Sequence, residues 1–105
     1  MTGAQLQETI VDMARLLGWK VAHFRPARTA DGWRTPVAYD AKGWPDLCLV
    51  RDRIVWLEVK GPVEAITEEQ QAWIAAINAA GGTALVVRPK DLPEIEKALR
   101  KRIAA

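Results

Sequence analysis

Two apolar runs rich in strand-forming residues, Asp46-Leu-Cys-Leu-Val50 and Ile54-Val-Trp-Leu-Glu-Val-Lys60, are separated only by the charged triplet Arg51-Asp52-Arg53. Runs of this composition joined by so short a link predict a β-hairpin. With Asp52 at the centre of the turn the pairing is antiparallel, which sets Val50 against Ile54, Cys48 against Trp56 and Asp46 against Glu58. Directly opposed residues have Cβ atoms about 4.5–5.5 Å apart, so uncompensated carboxylates at Asp46 and Glu58 would repel. A bound cation removes that conflict. Lys60 lies two residues beyond Glu58, on the same sheet face, where it can reach a water or phosphate beside such a cation. A register slip of one residue would destroy the arrangement. Leu47, Leu49, Val55, Leu57 and Val59 fill one face, and Val50, Ile54 and Trp56 make the other apolar as well, which predicts a sheet covered on both sides.

The flanking segments supply the rest of the fold. Thr2 with Gln5 three residues on forms a capping box, and Leu6, Ile10, Met13, Ala14 and Leu17 recur at helical spacing until Gly18. Trp19 to Phe24 reads as a first strand closed by Pro26. From Arg25 to Trp44 no periodicity survives, and a loop of that length is usually functional or disordered, so it is expected to contact substrate. Gly61-Pro62 breaks the chain, and Thr67-Glu-Glu-Gln70 is a second capping box with Ile66 placed as the outer half of a hydrophobic staple. Trp73, Ile74, Ile77 and Ala80 are the expected buried stripe of a second helix that stops at Gly81-Gly82. Thr83 to Val87 is a short apolar strand, and Asp91 with Glu94 is expected to cap a third helix carrying Ile95, Leu99 and Ile103.

At 105 residues with half of them apolar, the expectation is one globular domain spanning 1–105. No apolar run approaches the ~20 residues of a membrane span and no signal-type block opens the chain, so a cytoplasmic protein without membrane contact is expected. Cys48 stands alone in an apolar strand, which argues against zinc or a thiol nucleophile and for a small core residue. A net charge of +2 is too weak to imply nucleic acid by itself. Its distribution is more informative: Arg25, Arg28, Arg34 and Lys42 share the irregular stretch with only Asp31 and Asp40 as acids, beside Asp46. Those cations are candidate phosphate contacts. Trp33 and Tyr39 in the same stretch either stack on unpaired bases or fold back onto the core.

Gly43-Trp44-Pro45-Asp46, then Glu58-Val59-Lys60, then Thr67-x-x-Gln70 ahead of a Trp-containing helix, resembles the VRR-NUC domain of the PD-(D/E)xK nuclease superfamily. The combination is far more specific than Pro-Asp or Glu-x-Lys alone. The likeness covers nearly the whole chain and includes an element order similar to that superfamily's αβββαβ core. It implies an α/β, restriction-endonuclease-like fold with a mixed sheet flanked by helices and an extra C-terminal helix. It also implies a divalent-metal-dependent DNA endonuclease, structure-specific in some members, and the small size suggests a homodimer.

By position, the resemblance makes Asp46 and Glu58 ligands of Mg²⁺ or Mn²⁺ together with the backbone carbonyl of Val59. Lys60 becomes the charge-stabilising or water-positioning residue, and Gln70 the family's glutamine on the second helix. Gln70 is equally accounted for by its capping box. The family's helix-one glutamate falls on Gln5, Gln7 or Glu8, and only Glu8 would bring a charge. A noncatalytic nucleic-acid-binding or assembly subunit that keeps the nuclease fold is the alternative.

Overall fold

The computed structural model describes residues 1–24, 27–29, 32–34 and 39–103, with 27–29 and 32–34 described as backbone only. Arg25 therefore lies outside the described residues, as do the side chains of Arg28, Trp33 and Arg34.

Helix α1 spans Gly3–Leu16 and opens on the expected capping box: Gln5 N donates to Thr2 Oγ1 at 3.1 Å and Thr2 N to Gln5 Oε1 at 2.8 Å. Leu6, Ile10 and Ala14 form its buried stripe, and the chain leaves it through Gly18 at φ 90°, a left-handed conformation that favours glycine. Strand β1, Lys20–His23, begins one residue later than expected because Trp19 enters the core instead, its indole Nε1 donating to the Leu99 carbonyl at 3.0 Å.

The stretch read as a structureless loop contains two short strands, β2 (Ala27–Thr29) and β3 (Gly32–Arg34), paired antiparallel. Strands of three residues are too short to register as an alternation.

Strands β4 (Leu47–Val50) and β5 (Ile54–Val59) pair in the register set by a turn at Asp52: Leu47 with Leu57, Cys48 with Trp56, Leu49 with Val55, Val50 with Ile54. The turn triplet also fastens two helix ends. Arg51 donates to the Leu17 and Lys101 carbonyls, Arg53 to those of Ala98 and Lys101, and Asp52 accepts from Ile103 N. Helix α2 (Glu68–Ala79) then crosses to strand β6 (Ala84–Val87), which lies parallel to β5. A 3-10 turn at Pro89–Asp91 leads into helix α3, Leu92–Arg100. Asp91 does not cap α3 as expected; its carboxylate is taken by Arg88 N at 2.8 Å, which closes the 3-10 turn instead.

The result is a mixed sheet of order β1-β4-β5-β6 flanked by three helices, an α/β nuclease-like fold. Leu47, Leu49, Val55, Leu57 and Val59 pack with Leu6, Ile10, Ala14, Ile95 and Leu99 into one core. The other face is only partly covered: Val50 and Ile54 are exposed, Cys48 is half-buried rather than a core residue, and α2 has no buried residue. The stripe expected on α2 stays half-exposed at Trp73, Ile74 and Ile77 and exposed at Ala80, because the ladder positions beneath it include Trp56 and the charged Glu58 rather than aliphatic residues. Among the described residues no helix is long and apolar enough to cross a membrane.

Candidate active site

The two acids converge where the β4–β5 ladder ends. The last backbone pair is Leu47 with Leu57, so the expected Asp46–Glu58 pair is not part of the ladder and Asp46 sits one step beyond its end. Its main-chain carbonyl accepts from Phe24 N at 2.9 Å, while its side-chain Oδ2 takes the N–H of Val59 at 3.0 Å. That bond holds a half-buried carboxylate against the end of β5. Burial raises the Asp46 pKa, and the Val59 N–H and the charge of Lys60 only partly oppose the shift.

Glu58 is 2% exposed and Lys60 4%, although both are ionisable. Period-two alternation puts them on the partly covered face, while the intervening Val59 and the preceding Leu57 point to the other. Glu58 Oε1 accepts from Gln70 Nε2 at 2.8 Å and lies 3.5 Å from Lys60 Nζ, whereas Oε2 is buried with no hydrogen-bond partner among the described residues. Burial first, then the charge of Asp46, push the Glu58 carboxyl up to about 7.

Gln70 both closes its capping box and reaches Glu58, and one amide does both. Its Oε1 accepts from Thr67 N at 2.9 Å, which forces the NH₂ end toward Glu58. The segment before Asp46 keeps α2 in place to do this. Gly43 has φ 86°, and a Cβ there would lie 2.6 Å from Glu69 C and 2.8 Å from Gln70 N, so only glycine lets this segment touch the start of α2. Trp44 packs edge-on against Trp73 and Trp56 with ring centroids 4.8 and 6.4 Å away, and the Trp73 indole N–H bridges the carbonyls of Asp40 and Lys42. Gly-Trp-Pro-Asp is thus a strap over α2 as well as the carrier of the Asp46 carboxylate.

Gln5 is spent on the α1 cap, Gln7 Nε2 sits 2.9 Å from His23 Nε2, and Glu8 is exposed along a cleft with Gln7, Val11, Asp12, Arg15, Val21 and His23. Lys42 is exposed and paired with Glu69 at 3.1 Å. Tyr39 is fully exposed at φ 57° rather than folded onto the core.

Two side chains that sequence reasoning did not single out complete the network. Glu64 accepts from Gly61 N at 3.0 Å and lies 3.4 Å from Lys60 Nζ, and Arg88 Nη1 donates to the Gly61 carbonyl at 2.8 Å. A signal existed for Glu64, since Lys60-Gly-Pro-Val-Glu64 places an acid one turn's reach from the lysine.

A carboxylate oxygen that is buried, unpartnered and beside a second carboxylate is costly unless a cation joins it. The donor set, all hard oxygen, suits Mg²⁺ or Mn²⁺. Among the described residues, however, no three His, Cys, Asp or Glu side chains form a metal-ligating group, so Asp46 and Glu58 would hold an ion without a third such side chain. The VRR-NUC domain family model matches residues 6–91, most of the chain and all of this network. No curated protein and no solved structure matches the chain.

Proposed function

The chain belongs to the VRR-NUC domain family, a nuclease-type domain, and from that premise we propose that it hydrolyses phosphodiester bonds of DNA with the help of Mg²⁺ or Mn²⁺. The observation that carries this reading is the buried, unpartnered Glu58 Oε2 beside Asp46.

Asp46 and Glu58 would hold the ion. When bound, it supplies Lewis acidity, stabilising charge on phosphate oxygens and lowering the pKa of water. Val59 N–H fixes the Asp46 carboxylate, and Gln70 Nε2 fixes the rotamer of Glu58 with Oε2 free. Lys60 Nζ, held at the end of β5 beside Glu58, neutralises charge that builds on the phosphate and orients the attacking water. Glu58 and Lys60 are buried, which keeps the local dielectric low and their charges effective. Arg25, Arg28, Arg34 and Lys42 contact the nucleic-acid backbone in this reading, with Lys42 exchanging Glu69 for phosphate. A homodimer belongs to the same proposal, since so small a domain offers little surface to grip a duplex.

The test is a cleavage panel of single-strand, duplex, flap and four-way-junction DNA with Mg²⁺ or Mn²⁺. Wild type should cut at least one substrate, and Asp46→Ala and Lys60→Ala should each lose roughly a hundredfold or more. Equal cutting by wild type and both variants rejects the assignment. The lack of a third ligating side chain among the described residues favours a second reading, a noncatalytic DNA-binding subunit, which would bind DNA in a salt-dependent way and cut none of the panel.

A further inference from the structure

Lys60 presents a problem for a cation site: a buried ammonium 3.5 Å from Glu58 cancels charge that a divalent ion needs. We propose that Glu64 is a positioning residue that neutralises Lys60, leaving the negative charges of Asp46 and Glu58 available to a divalent cation. The inference rests on the nuclease reading and assigns Glu64 no contact with substrate.

The geometry is a clamp. Lys60 Nζ lies between Glu58 Oε1 at 3.5 Å and Glu64 Oε2 at 3.4 Å. Glu64 cannot swing into solvent without losing its second bond, because Oε1 accepts from Gly61 N at 3.0 Å. The same glycine's carbonyl is held by Arg88 Nη1 at 2.8 Å, so Gly61 is fixed at both its N–H and its carbonyl. The start of α1 approaches this corner, where a Cβ on Gly3 would sit 3.1 Å from Gly61 N and 3.5 Å from Glu64 Oε1, while the Glu64 side chain itself remains 55% exposed.

Charge completes the argument. Asp46, Glu58 and Lys60 alone carry a single net negative charge when ionised, whereas with Glu64 the cluster carries a double one, matching a divalent ion. Glu64 is held ionised by the Gly61 N–H first and Lys60 second, and its charge reaches Asp46, whose pKa it helps raise. Because no three acids form a ligating group among the described residues, Glu64 acts through Lys60 rather than as a ligand.

The experiment is a calorimetric titration of the intact chain with Mn²⁺ alone, for wild type, Glu64→Gln and the double variant Lys60→Met/Glu64→Gln. Gln retains an acceptor for Gly61 N–H, and circular dichroism checks that each variant is folded. Glu64→Gln should bind Mn²⁺ about tenfold more weakly, and removing the ammonium as well should return affinity to within about threefold of wild type or better. Wild-type affinity in Glu64→Gln overturns the proposal. So does a double variant as weak as Glu64→Gln, which would make Glu64 a ligand. If wild type itself binds no Mn²⁺, the metal-dependent nuclease reading fails and this inference with it.

Discussion

Gln70 and Glu58 are joined by a 2.8 Å bond from an amide whose other end closes the capping box of α2 at 2.9 Å. Helix initiation and site geometry therefore share one side chain. Thr67→Ala, which removes only the cap's hydroxyl, should cost about 1 kcal/mol, or roughly 4–8 °C in Tm, with cleavage little changed. Gln70→Ala should cost as much or more and also lower cleavage about tenfold, since Glu58 loses the donor that sets its rotamer. Thermal melts and initial rates on the same preparations separate the two effects.

Gly43→Ala puts a Cβ 2.6 Å from the Glu69 backbone at a φ of 86°, so strap and helix must move apart. Destabilisation of about 2–4 kcal/mol is expected by denaturant unfolding, with loss of activity even at temperatures where the variant is folded. A variant as stable as wild type would show that this contact is not tight.

Trp44 packs edge-on with Phe24, Trp56 and Trp73 over a face that has little other apolar cover. Trp44→Ala should cost about 2–3 kcal/mol, below the value for a fully buried tryptophan because Trp44 is half-buried. Trp44→Phe should recover part of that loss.

The ion-free chain should become less stable as pH rises from about 4.5 to about 7, on the order of 3 kcal/mol. The sign follows from Glu58: its folded pKa is raised from 4.5 to about 7, so over that window the folded state keeps a proton that the unfolded chain has already lost. Asp46, also raised by burial, acts in the same direction. Asp52, Glu64 and Glu69, whose pKa values are lowered, act oppositely, but mainly below about 4.5. Glu58→Gln should flatten the profile above pH 4.5, as followed by Tm in EDTA-containing buffers.

Much of the fold could be read locally. The turn at Arg51-Asp52-Arg53 gave the register, the Thr2 and Thr67 boxes gave both helix starts, and alternation gave the core face. What local patterns did not reveal was β2–β3, whose strands are too short to show a period, and the half-open face over which α2 lies. The role of Asp91 also escaped, because an acid near a helix start can bond to either of two neighbouring turns and only packing chooses between them.

By itself the sequence determined which residues stand opposite one another from Leu47–Leu57 to Val50–Ile54 and which face they share, because side-chain direction and capping depend on neighbours a few positions away. Tertiary structure decided what those groups do once assembled. It turned Asp46 off the ladder onto Val59 N–H, aimed the spare end of Gln70 at Glu58, left Glu58 Oε2 without a partner and gave Lys60 a second carboxylate in Glu64. Each outcome depends on burial and on contacts between segments far apart in the chain, and desolvation arises only when those segments close over a charge.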